Sequence, residues 1–427
     1  FKGFQAAILK HLDEIEEESS RSVFLYKGIN LKHAIQKKFY FKLIDNEVSR
    51  RVFYSNGKIE IHREQGIRFS RIVKHFANRV LTDFRTNSEL INEPFVVFLN
   101  SQKHSAFIEK TLKEIDYTIK QIPQIQSKKR PTLKNTSKYL VSSHYDILVY
   151  TESLSWYIRK ARPKKVVLVE GNKPEDSIII QICNQLDIPV YIIQHGWSFT
   201  PHLGFQNMGK CHFLSWGTRF SEALQPFNPE TQFIEVGHTL LNKKTNKKIT
   251  IDRCISIFLQ APVNLIGEDT FNEVIEIGIE LANHGYKVLF REHPSWPLKD
   301  AMRKKLTAVK NTEVIDPYMI PLEEQLDKST YGFTIFSSVG FECLAKSVLP
   351  VFLPFNMKIK LLPDLEKDNL CLTFHNKEAC LDYFTKNTTR HKEDLTSFER
   401  NLELQIKTLF TETGLGATTK LKALLNA

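Results

Sequence analysis

The 427-residue chain has none of the short signatures that announce an enzyme's chemistry in a few residues. There is no GxxxxGK[ST] loop, no GxGxxG after a strand-like run, no HExxH and no GxSxG. These absences exclude a P-loop phosphate cradle, a dinucleotide fingerprint, a zincin helix and a serine nucleophile elbow. No two aspartates stand a single residue apart, so an Asp-x-Asp metal clamp is missing and nothing in the sequence calls for a divalent cation. Cysteine is scarce: the closest two of the six, Cys371 and Cys380, are nine residues apart. That spacing excludes a CxxC redox pair, a zinc knuckle and a tight disulfide ladder. Cys183 and Cys371 sit inside apolar runs and read as buried free thiols, which fits a reducing, cytoplasmic setting. No apolar run approaches the ~18–20 residues of a membrane span. The chain begins at Phe1 rather than Met, which reads as a trimmed start and leaves a preceding signal or anchor open.

What is present is basic and rich in potential core. Lys and Arg total 59 against 48 Asp and Glu, a formal charge of +11, with 42% hydrophobic and 25% charged residues. This composition excludes a mostly disordered chain. The length suggests two or three domains. The charge points to an anionic partner: a phosphate, an acidic glycan, anionic lipid or nucleic acid.

From Pro94 the pattern is regular. Strand-like runs at Phe95–Leu99, Lys165–Val169 and Pro189–Ile193 alternate with helical spacing at about His104–Ile115, Tyr145–Arg162 and Glu175–Leu186. Continuous β-branched runs between amphipathic helices predict βαβ units in a parallel sheet covered on both faces. Asn242–Lys248 is polar and basic and reads as a linker. A second series follows, with strands at Ser256–Gln260, Lys287–Arg291, Gly332–Phe336 and Leu349–Leu353. Helices are expected at about Thr270–Asn283, Leu298–Val309 and Gly340–Lys346, and again at Asp394–Phe410. The first ninety residues read as a helix over Phe4–Glu18, a strand at Ser22–Tyr26 and a hairpin over Arg51–His62 around Asn56-Gly57. The organisation expected is an extension at 1–94, a Rossmann-like acceptor domain at 95–241 and a linker at 242–250. A Rossmann-like nucleotide-sugar domain at 251–392 follows, then helices at 393–427 that pack back across a central cleft faced by both domains.

In such sheets ligands bind beyond the carboxyl ends of the strands, so those ends carry the candidates. Glu170-Gly171 closes the first, placing a carboxylate suited to general-base work beside backbone space; the alternative is a solvated loop residue. Gln194-His195-Gly196 closes the next, and His195 can move protons near neutral pH. Arg291-Glu292-His293-Pro294 closes a strand of the second series and forms an anion-binding corner, unless Arg291 pairs with a carboxylate. Ser337-Ser338 follows Gly332–Phe336 and opens a helix, where hydroxyls and free N–H groups bind phosphate or simply cap the helix. Glu342, early in that helix, is placed to reach a ribose.

These elements, taken in order, resemble the GT-B glycosyltransferases of bacterial surface polysaccharide assembly. The nearest pattern is that of sialyltransferases and of capsule or lipopolysaccharide Kdo transferases, with acidic-Gly, His-Pro and Ser-Ser motifs at Glu170-Gly171, His293-Pro294 and Ser337-Ser338. Val169 stands where the sialyltransferase motif often has its first acidic residue. Gln194-His195-Gly196 and Ser338–Glu342 look more like the Kdo-type capsule enzymes, and like the teichoic-acid glycerophosphotransferases. The resemblance spans about residues 95–355. It implies an α/β fold of GT-B type and a metal-independent, cofactor-free transferase. The enzyme would move Kdo or another nonulosonic acid from a CMP donor to a surface polysaccharide or glycolipid. It implies Glu170 as base or nucleophile, with His195 as a further catalytic candidate and His293 assisting departure of CMP. Arg291, His293, Pro294, Ser337, Ser338 and Glu342 would bind the donor. Work at the cytoplasmic face of the inner membrane, in peripheral contact with anionic lipid, and no nucleic-acid partner complete that reading. UDP- or GDP-sugar or CDP-glycerol transfer on the same fold is an alternative, as is an isomerase resembling the UDP-GlcNAc 2-epimerases. A reading from a different class is a polyanion-binding module, carried by the charge and the basic stretches 159–165 and 242–248.

Overall fold

The computed structural model describes residues 24–44, 95–99, 104–112, 117–121, 136–197, 203–241, 253–262, 266–355, 363–386 and 388–426, with single positions in 10–17 and at 115. The expected hairpin over Arg51–His62 and the linker Asn242–Lys248 lie outside these residues. The chain divides into two compact units. One comprises Phe1–His195, Pro201–Ser215 and Ser221–Glu235; the other comprises Gly196–Thr200, Trp216–Phe220 and Val236–Ala427.

The first unit opens with helical positions at Lys10, Leu12–Glu14, Glu16 and Glu17. A two-residue antiparallel ladder, β1 (Leu25–Tyr26) with β2 (Ile29–Asn30), leads into α1 (Lys32–Ile44). Then come β3 (Phe95–Leu99), α2 (Ser105–Thr111), β4 (Thr118–Gln121), α3 (Thr136–Ala161) and β5 (Lys165–Val169). They are followed by α4 (Pro174–Gln185), β6 (Val190–Ile193), β7 (His212–Ser215), α5 (Thr218–Leu224) and β8 (Gln232–Glu235). The six strands form a parallel sheet in the order β4-β3-β5-β6-β7-β8. Val166, Val167, Leu168 and Val169 are all buried, as are Val190 to Ile193. A strand apolar on both faces is stable only when other elements cover both; in this unit α1, α3 and α4 pack against one another.

The second unit has β9 (Cys254–Phe258), α6 (Gly267–Asn283), β10 (Lys287–Arg291), α7 (Asp300–Thr307), β11 (Thr312–Ile315) and α8 (Leu322–Lys328). After these come β12 (Tyr331–Thr334), α9 (Val339–Ala345), β13 (Leu349–Phe352), β14 (Leu372–Thr373), α10 (Lys377–Lys386), α11 (Thr388–Leu409) and α12 (Gly414–Asn426). Its parallel sheet runs β11-β10-β9-β12-β13-β14. Strand order reverses between β9 and β12, as in a dinucleotide fold. In the first unit the reversal falls between β3 and β5.

Within the second unit the C-terminal helices are tied to two incoming segments. The Thr411 amide donates to the Trp216 carbonyl (3.0 Å), the His238 amide to Glu412 (2.9 Å) and the Gly414 amide to His238 (2.9 Å). Trp216, Phe220, Phe341 and Phe410 form an aromatic cluster there. All six cysteines are free and buried, and no helix among the described residues is long and apolar enough to cross a membrane.

Candidate functional site

The sequence candidates fall at carboxyl ends of parallel strands in both units. In the first, β3, β5 and β6 are neighbours, and their ends bring His104, Glu170 and His195 to one edge of the sheet. The backbone of Glu170 continues the ladder, its amide donating to the Ile193 carbonyl at 3.0 Å. It then leaves the strand in the left-handed region, with φ +67° at Glu170 and +68° at Gly171. Gly171 is required there: a Cβ would lie 2.5 Å from Ile192 Cδ1. Asn172 is 5% exposed, and its Nδ2 donates to Glu170 Oε2 at 3.0 Å. The Asn172 Oδ1 is buried with no partner among the described residues.

His195 is half-buried and packed by rings. His104 meets it edge-on with centroids 4.9 Å apart, and Phe107 stands at 4.4 Å. Helical spacing starts at about His104 in the sequence, and nothing local marks the residue. Only the sheet order, with β3 two strands from β6, shows that two histidines share this edge.

Behind this edge lies a buried polar cluster. Lys37 of α1 is wholly buried, and burial pulls its ammonium down to about 8 while Asp176 opposes the shift. Asp176, at the start of α4, accepts the Lys173 amide at 3.0 Å, and burial pushes its carboxyl up to about 7.

In the second unit, His293-Pro294 follows β10 and Ser337-Ser338 follows β12, with β9 between them in the sheet. Gln260, just beyond β9, ties that strand to the β12 side: its Oε1 accepts the Phe336 amide at 2.9 Å and the Thr334 hydroxyl at 3.1 Å. The Ser337 amide donates to Thr334 Oγ1 at 3.1 Å, and Ser337 Oγ accepts the Val339 amide at 3.4 Å. Ser338 occupies the N-cap position of α9 without a side-chain cap bond. Nδ1 of His293 accepts the Ser295 amide at 3.1 Å, which sets the neutral ring's proton on Nε2, the donor needed toward an anion.

Arg291 does not pair with its neighbour Glu292. Its guanidinium donates to the Ile320 carbonyl (2.9 Å), to Gln325 Oε1 (3.0 Å) and to the Pro317 carbonyl (3.3 Å), so it laces the end of β10 to the loop after β11. Glu292 instead receives Arg303 through both oxygens (2.8 and 2.7 Å) and the Leu298 amide (2.9 Å). The laced loops present Trp296 and Tyr318, 48% and 79% exposed, with the Tyr318 hydroxyl donating to the Pro294 carbonyl at 3.0 Å. Glu342 is mostly covered, its Oε1 3.8 Å from His238 Nε2. A cavity of about 280 Å³ lies elsewhere in this unit, lined by Glu273, His375, Lys377 and Glu378 among others and by none of the candidates. Among the described residues no group of three or more His, Cys, Asp or Glu side chains forms a metal-ligand set.

No family model matches the chain, and no curated protein matches its sequence. Solved structures do match its backbone. The calicheamicin glycosyltransferase aligns with a TM-score of 0.50 over 79% of this chain and 99% of its own, at 11% identity. The chain has the GT-B-like fold, built on two Rossmann-like sheets. A UDP-N-acetylglucosamine 2-epimerase aligns at 0.49 (79% and 96% covered, 11% identity). The Methanocaldococcus jannaschii UDP-GlcNAc 2-epimerase, solved with UDP-GlcNAc and UDP, aligns at 0.46 (79% and 100% covered, 16% identity). At these identities the likeness concerns fold alone.

Proposed function

We propose that the chain is a nucleotide-sugar enzyme that breaks the bond between an anomeric carbon and a nucleotide phosphate. One observation carries the reading. Gln260, His293 and Ser337-Ser338 stand at the ends of three adjacent strands, β9, β10 and β12, on either side of the point where strand order reverses. That is where α/β sheets bind phosphorylated ligands. His293 Nε2–H and the two serines stabilise the phosphate as negative charge collects on it during departure.

Glu170 supplies the base. In transfer, the acceptor hydroxyl gives its proton to the Glu170 carboxylate, its oxygen bonds to the anomeric carbon, and the carbon–oxygen bond to the nucleotide phosphate breaks. The product is a glycoside and a free nucleotide. The motif order at Glu170, His293 and Ser337 supports a bacterial surface glycan or glycolipid as acceptor, a CMP-linked nonulosonic acid such as Kdo as donor and a cytoplasmic, membrane-peripheral setting. A UDP-linked donor fits the same corner, since a pyrophosphate needs the same donors.

Epimerisation is the second reading, because it also starts by separating sugar from nucleotide with help from a base. The two are told apart by NMR of the enzyme with CMP-, UDP- and GDP-sugars, with and without a glycan acceptor. Acceptor-dependent release of nucleotide supports transfer. A new sugar nucleotide formed without acceptor supports the isomerase, and inert donors throughout would overturn both.

A further inference from the structure

Two residues at the end of β5 carry a local cost: Glu170 is a non-glycine residue in the left-handed region, and Asn172 buries an acceptor atom with no partner among the described residues. Gly171 between them takes the left-handed region without strain. The neighbouring β6 leaves the sheet through Gln194 and His195 with ordinary backbone. Such costs persist where the placement of a side chain matters more than local stability.

The ordinary role of an asparagine just before a helix does not account for Asn172. Lys173 occupies the cap position of α4, and its amide is satisfied by Asp176. The one hydrogen bond of the Asn172 side chain among the described residues goes to Glu170 Oε2. No such bond is made by Glu170 Oε1 among them.

We propose that Asn172 is a positioning residue for Glu170. Its buried amide fixes the rotation of the carboxylate and occupies Oε2, leaving Oε1 to take the substrate proton. Asn172 acts through Glu170 and does not touch substrate. The inference rests on Glu170 being the base in the reaction above.

The test is a double-mutant cycle on the intact chain, with kcat and KM for the nucleotide sugar and the thermal midpoint measured for each protein. Asn172→Ala and the near-isosteric Asn172→Asp, which cannot donate to a carboxylate, are expected to lower kcat at least tenfold. KM for the donor should stay within twofold, and Asn172→Ser, which keeps a short donor, should recover part of the rate. In a Glu170→Gln background, Asn172→Ala should cost nothing further. Wild-type kcat in Asn172→Asp overturns the inference. So does an equal loss in both backgrounds, which would mark a purely structural role and is readable even if the variant is less stable. A wild-type chain showing neither nucleotide-dependent stabilisation nor turnover would overturn the base assignment and the inference with it, a result distinct from an active wild type indifferent to Asn172.

Discussion

His238 Nε2 stands 3.8 Å from Glu342 Oε1, and both side chains are largely withdrawn from water. His238 Nδ1 accepts the amides of Leu240 and Leu241 (3.3 and 3.2 Å), so the ring presents Nε2–H to the carboxylate. Its face packs on Trp216, with centroids 4.5 Å apart. Glu342 also senses the Arg291 guanidinium. The residue read from sequence as a ribose ligand is thus held from one side by the segment entering the second unit.

Replacing His238 by Ala removes ring packing and leaves two amides unpaired. The expected cost is about 2–4 kcal/mol in urea unfolding, with the m-value unchanged. A midpoint equal to wild type would show that the ring does not lock this junction.

Two glycines form a matched pair. Gly237 has φ +106°, and a Cβ there would lie 2.2 Å from the Glu412 carbonyl oxygen; Gly267 has φ +69° with no described residue within 4 Å of such a Cβ. Gly267→Ala should cost only the backbone strain, about 1–2 kcal/mol. Gly237→Ala should cost clearly more, because backbone must move. Equal losses in the two variants would contradict the close approach of the Glu412 backbone.

Asp176 gives a pH signature. An acid raised in the folded state to about 7 binds a proton on folding between its unfolded value, near 4, and 7. Stability from this group is complete below that window and is lost as pH rises through it. Asp176→Asn, which can still accept the Lys173 amide, removes the loss. The variant's advantage over wild type should therefore grow from pH 4.5 to pH 7.5, on the order of 1–3 kcal/mol. A pH-independent difference would place Asp176 in water.

Glu170 sets stability against activity. Glu170→Gly relieves the left-handed strain but takes the acceptor from the buried Asn172 amide, so thermal stability should move by no more than about 1 kcal/mol in either direction. Turnover should fall at least ~100-fold with the base gone. A variant destabilised well beyond that yet still active would contradict both assignments.

The central strands were legible because their environment writes itself into the sequence. β5, β6, β9, β12 and β13 are buried along nearly all their length, as is Val288–Phe290 of β10, and they read as mostly apolar runs. Outer strands such as β8 (Gln232–Glu235) and β11 (Thr312–Ile315) keep polar positions toward solvent and lack that mark. Candidate residues at strand ends were visible by position alone, whereas their partners were not. Gln260 and His104 meet their partners through sheet order, whereas Asn172 lies only two residues beyond Glu170 and is marked by its burial and its turn back onto the carboxylate, which the sequence does not show. Arg291 turns to the carbonyls of Pro317 and Ile320, and Glu292 takes an arginine eleven residues on. No local pattern encodes these pairings.

Isothermal titration of CMP, CDP, UDP and GDP into the intact chain, repeated on His293→Ala, decides whether the strand ends of the second unit hold a nucleotide phosphate. One nucleotide should bind saturably to the wild type, and His293→Ala should weaken it at least tenfold, about 1.4 kcal/mol, with the fold unchanged. Binding of none of the four, or equal binding by His293→Ala, would contradict it.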